Sequence, residues 1–409
     1  MTDMINELSR IDADFIALRE RRADAVANAQ TSFEALLEPE NPGDFSYAER
    51  YTVAAFVTGI SQSGEAAKFY LDLLADESDD ALVAAVREAI AAGTTAGPFH
   101  QGGFTIFAPE SDLGARLAAA LDFAHLLTFH PKDADPSAVG HLDAAGWSAD
   151  DIVSLAQLIS FLAFQQRVVH GLRVLAGSSV STVSTDKEPS NAAGSIVKTV
   201  TNTGWKPGQN TLTPEVVKPG KFVNHSLGWQ PWVAPMEKAD FTEAHLDSLI
   251  KPERIDMPYF RLLARDPAAL RARTVTDLDI FYNTEGGLGR AERELAATVA
   301  SRYNGCEYCA SVHQARAKEE GGDADAIHRL LDEGIQADLG SAQWSAIRDA
   351  AVALTSTPFA FNDTHVAKLR EVGLDDLSII DVINSSSFFN WANRLMLTLG
   401  EPDVPKRFR

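Results

Sequence analysis

The sequence predicts an all-α protein of two tandem helical domains, an internal duplication, joined by a long, partly irregular linker. Three observations carry this. Apolar residues recur at three- and four-residue spacing through both ends of the 409-residue chain. Between them the composition turns to Ser, Thr, Asn, Gly and Pro. Patterns from the first part also return in the second at a nearly constant offset. The expected boundaries are a first helical domain at 1–176, a linker at 177–235 and a second helical domain at 236–409.

Residues 5 to about 175 are rich in Ala, Leu, Glu and Arg at helical spacing. Ser46 with Glu49 forms a capping box before an apolar run, and Asp79 can cap a helix over 80–91. Residues 92–103 carry loop chemistry. Helices are expected again at 113–127 and 149–175, with no alternating run that suggests a sheet. In the linker, SSVSTVSTDKEPSNAAGS and WKPGQNTLTPEVVKPGK lack helical spacing. Trp205, Phe222, Trp229 and Trp232 are costly to leave in water, so part of this stretch should lie across a domain surface or a neighbouring subunit. Helical text returns from about 241 and runs to about 399.

The repeats align through Ala48-Glu49-Arg50 and Ala291-Glu292-Arg293, an offset of 292 − 49 = 243. Further on, Gly146 and Arg167 match Gly373 and Arg394, with Phe161 matching Phe388, at 373 − 146 = 227. The difference, 243 − 227 = 16 residues, is a net insertion in the first repeat, most easily placed around 97–112.

With 45% hydrophobic and 23% charged residues, the chain has the makeup of a globular protein. A net charge of −21 argues against nucleic-acid or anionic-membrane partners. The opening MTDMINELSRIDADF lacks the apolar core of a secretory signal. The longest apolar stretch, 151–164, falls short of the about 20 residues of a membrane span. A cytoplasmic protein is expected, where thiols stay reduced.

Both cysteines of the chain lie in a Glu-x11-Cys-x2-Cys-x3-His pattern formed by Glu294, Cys306, Cys309 and His313. Asn304-Gly305 should break a helix over 290–303, and Cys306 should open the next, which runs to about 320. Both thiols then sit in a first turn, where unpaired N–H groups and the helix dipole favour a thiolate. Cys309 and His313, four apart, share a face, while Cys306 is within reach of a disulfide with Cys309. Glu294 can fold back onto His313 and hold its tautomer. This set suits two-electron thiol chemistry, with zinc ligation by the same four groups as the alternative. At an offset of 243 the first repeat places Tyr51, Ser63, Ala66 and Tyr70 at these four positions, so it is expected to keep the scaffold without the chemistry.

The stretch ERELAATVASRYNGCEYCASVHQARA, preceded by YFRLLARDPAALRART and followed by LREVGLDDLSIIDVINSSSFFNWANRLMLTLG, resembles the alkylhydroperoxidase AhpD-like, peroxidase-related branch of the carboxymuconolactone decarboxylase superfamily. The resemblance covers residues 241 to about 401, and the first repeat looks like a degenerate copy. It implies an all-α fold and assembly as trimers or hexamers. It also implies a hydroperoxide reductase with Cys309 as the peroxidatic residue, Cys306 as the resolving one, and Glu294 with His313 as the proton relay. A hydroperoxide and a thiol or dithiol reductant are the implied partners, and no cofactor or metal is expected. Where the best-known members place a histidine before the second cysteine, this chain has Tyr308. Other readings are a general disulfide reductase or redox sensor, and a cofactor-free decarboxylase or lactone-processing enzyme of the same superfamily.

Overall fold

The computed structural model describes residues 3–100, 110–178 and 204–409. As expected, these are mainly α-helical. The first part contains α1 (Met4–Ser9), α2 (Ala13–Arg19), α3 (Ala23–Leu37), α4 (Tyr47–Ile60), α5 (Gly64–Glu77), α6 (Asp80–Gly93), α7 (Glu110–Phe129), α8 (Pro136–Ala144) and α9 (Ala149–Leu175). The second contains α10 (Glu243–Ser248), α11 (Pro258–Leu263), α12 (Pro267–Tyr282), α13 (Arg290–Asn304), α14 (Glu307–Glu319), α15 (Ala324–Glu333), α16 (Ala342–Thr355), α17 (Asp363–Glu371) and α18 (Asp376–Thr398).

Helix starts follow local chemistry. Ser46 and Glu49 close the anticipated capping box on α4, and the Asp79 carboxylate accepts from Leu82 N at 2.9 Å to start α6. Gly146 and Gly373, at φ 89° and 91°, make the left-handed turns into α9 and α18 that a side chain would strain.

The repeat is visible in element positions. Helices α4 and α13 start 290 − 47 = 243 residues apart, while α9 and α18 start 376 − 149 = 227 apart. The offset changes between α6 and α7, around the insertion expected at 97–112, of which residues 101–109 lie outside the described residues. Equivalent arginines tie equivalent knots. Arg50 donates from Nε to Phe45 O at 2.8 Å and from Nη1 to Leu36 O at 2.7 Å. Arg293 donates from Nε to Leu288 O at 2.8 Å and from Nη1 to Ile280 O at 3.0 Å.

Packing joins the two repeats through one core. Helices α9 and α18 run along each other, with the Phe161 and Trp391 ring centroids 5.2 Å apart, and α3 lies against α12. Crossing bonds are reciprocal. Arg167 Nη2 donates to Thr355 O at 2.9 Å and Arg394 Nη2 to Thr128 O at 3.1 Å, with 394 − 167 = 355 − 128 = 227. A buried bridge from Arg22 Nη2 to Asp381 Oδ2, at 2.7 Å, adds a further link. Arg394 therefore serves the packing of the repeats.

Helix α9 is long and apolar enough to cross a membrane by length and composition, longer than the 151–164 stretch read from sequence, yet 94% of its 18-residue apolar window is buried inside the protein. The core accounts for its apolarity.

Residues 179–203 of the expected linker lie outside the described residues. The rest of it is tied down. Trp205 stacks on His141 with centroids 4.3 Å apart, and Arg302 covers the Phe222 ring. Trp229 and Trp232 are buried, donating from Nε1 to Met396 O at 2.9 Å and to Glu401 Oε1 at 3.1 Å. Here the structure adds a feature that the sequence reading lacks: β1 (Gly228–Pro231) pairs antiparallel with β2 (Gly400–Asp403). Four-residue strands containing Pro231 and Pro402 show no alternation to read, and the ladder forms because the chain leaving α18 passes over Trp229.

Candidate active site

The site grows from the junction of α13 and α14. Gly305, at φ 80°, ends α13 in the left-handed conformation, and Cys306 N returns to Ser301 O at 2.8 Å. Cys306 is then the N-cap of α14, and Cys309 lies in its first turn. Asn393, from α18, braces this junction by accepting from Asn304 Nδ2 and donating to Ser301 Oγ, both at 3.0 Å. Lys132 of the first repeat pairs with Glu307 at the start of α14.

Both thiols are reduced and buried, at 1% and 4% exposure. The Cys306 thiol is within hydrogen-bonding contact of Cys309, and its pKa is pushed well above the ordinary thiol value, first by burial and then by the bond and charge of Cys309. Desolvation thus outweighs the helix-start effect expected from sequence at Cys306. Its proton stays on.

Glu294 projects from the inner face of α13 with no exposed surface, and its Oε2 meets His313 Nδ1 at 2.5 Å. Burial opposes the ionisation of Glu294. The charge and hydrogen bond of His313, with Arg316 and Arg290 behind them, outweigh burial and hold the carboxyl below its usual range. Arg290 stands 3.4 Å from Glu294 Oε1 and anchors to Glu320 at 2.7 Å. With a carboxylate on Nδ1, the imidazole presents Nε2 for proton transfer. Phe389 sets the ring plane, its own ring edge-on to the imidazole at a centroid distance of 4.0 Å, with Phe281 at 5.8 Å.

The structure therefore brings Glu294 onto His313 and Cys306 onto Cys309, with His313 one turn beyond Cys309 on α14. Tyr308 is half-buried beside the thiols, its pKa pushed up to about 12 by burial and then by Cys309 and Cys306, so it keeps its proton at neutral pH. Phe388 and Trp391 are core residues, whereas Phe389 also borders the site.

Three more side chains surround this centre. Tyr259 of α11, and Arg273 and Asp277 of α12, lie within electrostatic range of Cys309 or His313 or of one another. Asp277 is held above the ordinary carboxylate value by burial, against Arg273, His313 and Arg316. The sequence reading missed all three because they precede the cysteine motif. Their signal is the spacing Arg273, Asp277, Phe281, which places one residue per turn along one face of α12.

At the matching junction of the first repeat, Ser63 is the N-cap of α5, as Cys306 is of α14. Tyr70 fills the His313 position, fully buried, and its hydroxyl donates to Gln165 Oε1 at 2.6 Å. Among the described residues no group of three or more His, Cys, Asp or Glu is arranged to hold a metal ion.

No curated protein matches this chain. Residues 267–353 match the model of the carboxymuconolactone decarboxylase family. That segment opens at α12, ends within α16, and holds Glu294, Cys306, Cys309 and His313. The cysteine-bearing repeat is thus similar, over these residues, to the carboxymuconolactone decarboxylase family.

Proposed function

We propose that this protein is a thiol-dependent hydroperoxide reductase. The observation that carries the reading is a Cys306 and Cys309 pair in thiol contact, one helical turn from a His313 whose other ring nitrogen is bonded to a buried Glu294. His313 takes the Cys309 proton, and the thiolate sulfur attacks the terminal oxygen of ROOH, breaking the O–O bond. The proton passes to the leaving RO⁻, so Cys309–SH and ROOH give Cys309–SOH and ROH. Cys306, still protonated, condenses with the sulfenic acid to form the disulfide and water. An external dithiol, or two thiols, then reduces the disulfide and is itself oxidised to a disulfide.

Glu294 stays ionised through the cycle and stabilises the imidazolium formed when His313 holds the proton. Retention of the Cys306 proton supports the resolving role for Cys306 and the peroxidatic role for Cys309. The protein is proposed to act in the cytoplasm, where thiol reductants are available, as a trimer or hexamer.

Peroxide consumption coupled to a dithiol tests this directly. The wild type is expected to turn over and to show the Cys306 to Cys309 disulfide by mass spectrometry. A Cys309→Ser protein that still consumed peroxide at the wild-type rate would sink the assignment. Rapid insulin reduction without peroxide consumption would instead favour the disulfide reductase reading, and product formation from a lactone without thiol oxidation the decarboxylase reading.

A further inference from the structure

Seven arginines are buried among the described residues: Arg19, Arg22, Arg50, Arg167, Arg273, Arg293 and Arg394. Six of them are hydrogen-bonded to backbone or side-chain oxygens. Arg273 differs. It is only 7% exposed, its Nε is buried without a partner, and it makes no hydrogen bond or ion pair to a described residue. Its guanidinium carbon lies over the Phe388 and Trp391 rings, 5.1 and 5.8 Å from their centroids. Such stacking offsets part of the desolvation of a cation but leaves the in-plane N–H fork free.

Position makes this gap informative. Phe388, beneath the guanidinium, packs against Phe281 and Phe389, the two rings that touch His313. Tyr259 stands within electrostatic range of both Arg273 and Cys309. Asp277, one turn along α12, feels the Arg273 charge but forms no ion pair with it, and it is shared with His313 and Arg316. Arg254, the next cation, already donates to Leu249 O at 2.9 Å and stacks on Phe260. An unpaired buried guanidinium costs folding free energy that a bound carboxylate recovers through two parallel charge-assisted bonds.

We infer that Arg273 anchors a carboxylate on the substrate, so that the preferred hydroperoxide is a hydroperoxy acid held with its acid group on Arg273 and its peroxide on Cys309. The inference rests on the hydroperoxide reading above. Arg273 is here a specificity residue, taking no part in the proton relay, and the apolar wall of Phe281, Phe388 and Phe389 faces the carbon chain between the two ends. No new chemical step is added.

The test compares tert-butyl hydroperoxide with 4-hydroperoxy-4-methylpentanoate, which carries the same tertiary peroxide and adds a carboxylate. Single-turnover oxidation of Cys309 in the full chain is followed by quenched mass spectrometry. The wild type should react with the acid at least about tenfold faster than with the neutral peroxide, the scale of one charge-assisted contact. Arg273→Gln should bring that ratio to about one while leaving the neutral rate within about threefold, and Arg273→Lys should retain part of the preference. Unreactive 4-methylpentanoate should compete with the acid peroxide and not with the neutral one. Equal wild-type rates for the two peroxides overturn the inference while keeping the reductase, and this arm does not depend on any variant folding. Failure of both peroxides to oxidise Cys309 overturns the reductase reading and the inference together.

Discussion

The repeats of this chain share a frame and differ in what they place inside it. Arg50 and Arg293 tie equivalent turns, Gly146 and Gly373 make equivalent left-handed bends, and Arg167 and Arg394 cross reciprocally between the halves. On the fifth helix of the first repeat, Tyr70 bonds to Gln165. The counterpart site holds an ionised Glu294 on His313 beside two thiols. Neutral groups occupy one site and titratable groups the other. Since the frame folds around either filling, the charged set is not needed for stability, and its cost is better explained by chemistry.

The largest expected difference between the halves is catalytic. Replacing Glu294 by Gln should slow Cys309 oxidation by about 10²- to 10⁴-fold, because the imidazolium loses its counter-charge, while Tyr51→Phe at the matching position should leave that rate unchanged. Stopped-flow oxidation kinetics on the two variants check this. Equal slowing by both would break the comparison.

Next comes the crossing pair. The cationic charge of Arg394 helps burial to lower the Arg167 pKa, so two like charges face each other in the core. Arg167→Met and Arg394→Met should each cost about 1–3 kcal/mol, since each strands a buried carbonyl. Repulsion can be relieved only once, so the double variant should lose more than the sum of the singles, by about 0.5–3 kcal/mol. Chemical denaturation of all four proteins measures the coupling.

Tyr70→Phe strands Gln165 Oε1 and should cost about 1–3 kcal/mol of stability, with no effect on thiol chemistry. Differential scanning calorimetry paired with the peroxide assay separates the two readouts.

The smallest effect is on pH dependence. Burial lowers the pKa values of His125, His130 and His170, all in the first repeat, and His170 falls to about 4 while its Nε2 bonds Phe361 O at 2.7 Å. An unfolded histidine takes up a proton near its ordinary value of 6.5, whereas folded His170 does so only near 4. The unfolded state thus binds more protons between these values, and stability falls as pH drops through that window. His170→Gln, which keeps a donor for Phe361 O, should remove about 1–2 kcal/mol of the loss between pH 7 and 5. Denaturation midpoints at the two pH values test it, and an unchanged slope would refute it.

Much of this was legible along the chain. The Ser46 capping box, the 149–175 helix, the duplication and the four-residue cysteine pattern are legible from spacing and from single side chains that cap or break helices. The β1 and β2 pairing was not, because its two strands are far apart in sequence and each is only four residues long and contains a proline. Nor were Tyr259, Arg273 and Asp277 legible as site neighbours, since they enter by the packing of α12 against α18 and of α11 against β1 rather than by proximity in the chain.

By itself, then, the sequence determined which groups can do the chemistry: the only two thiols, a histidine one turn beyond them, and a glutamate on the preceding helix. Tertiary structure decided how those groups are biased. Burial turned the helix-start advantage expected for Cys306 into a raised pKa, bonded Glu294 to His313 out of water, and left Arg273 Nε without a hydrogen-bond partner among the described residues. The physical reason is that spacing sets which side chains share a face, whereas desolvation depends on what the rest of the fold lays over them.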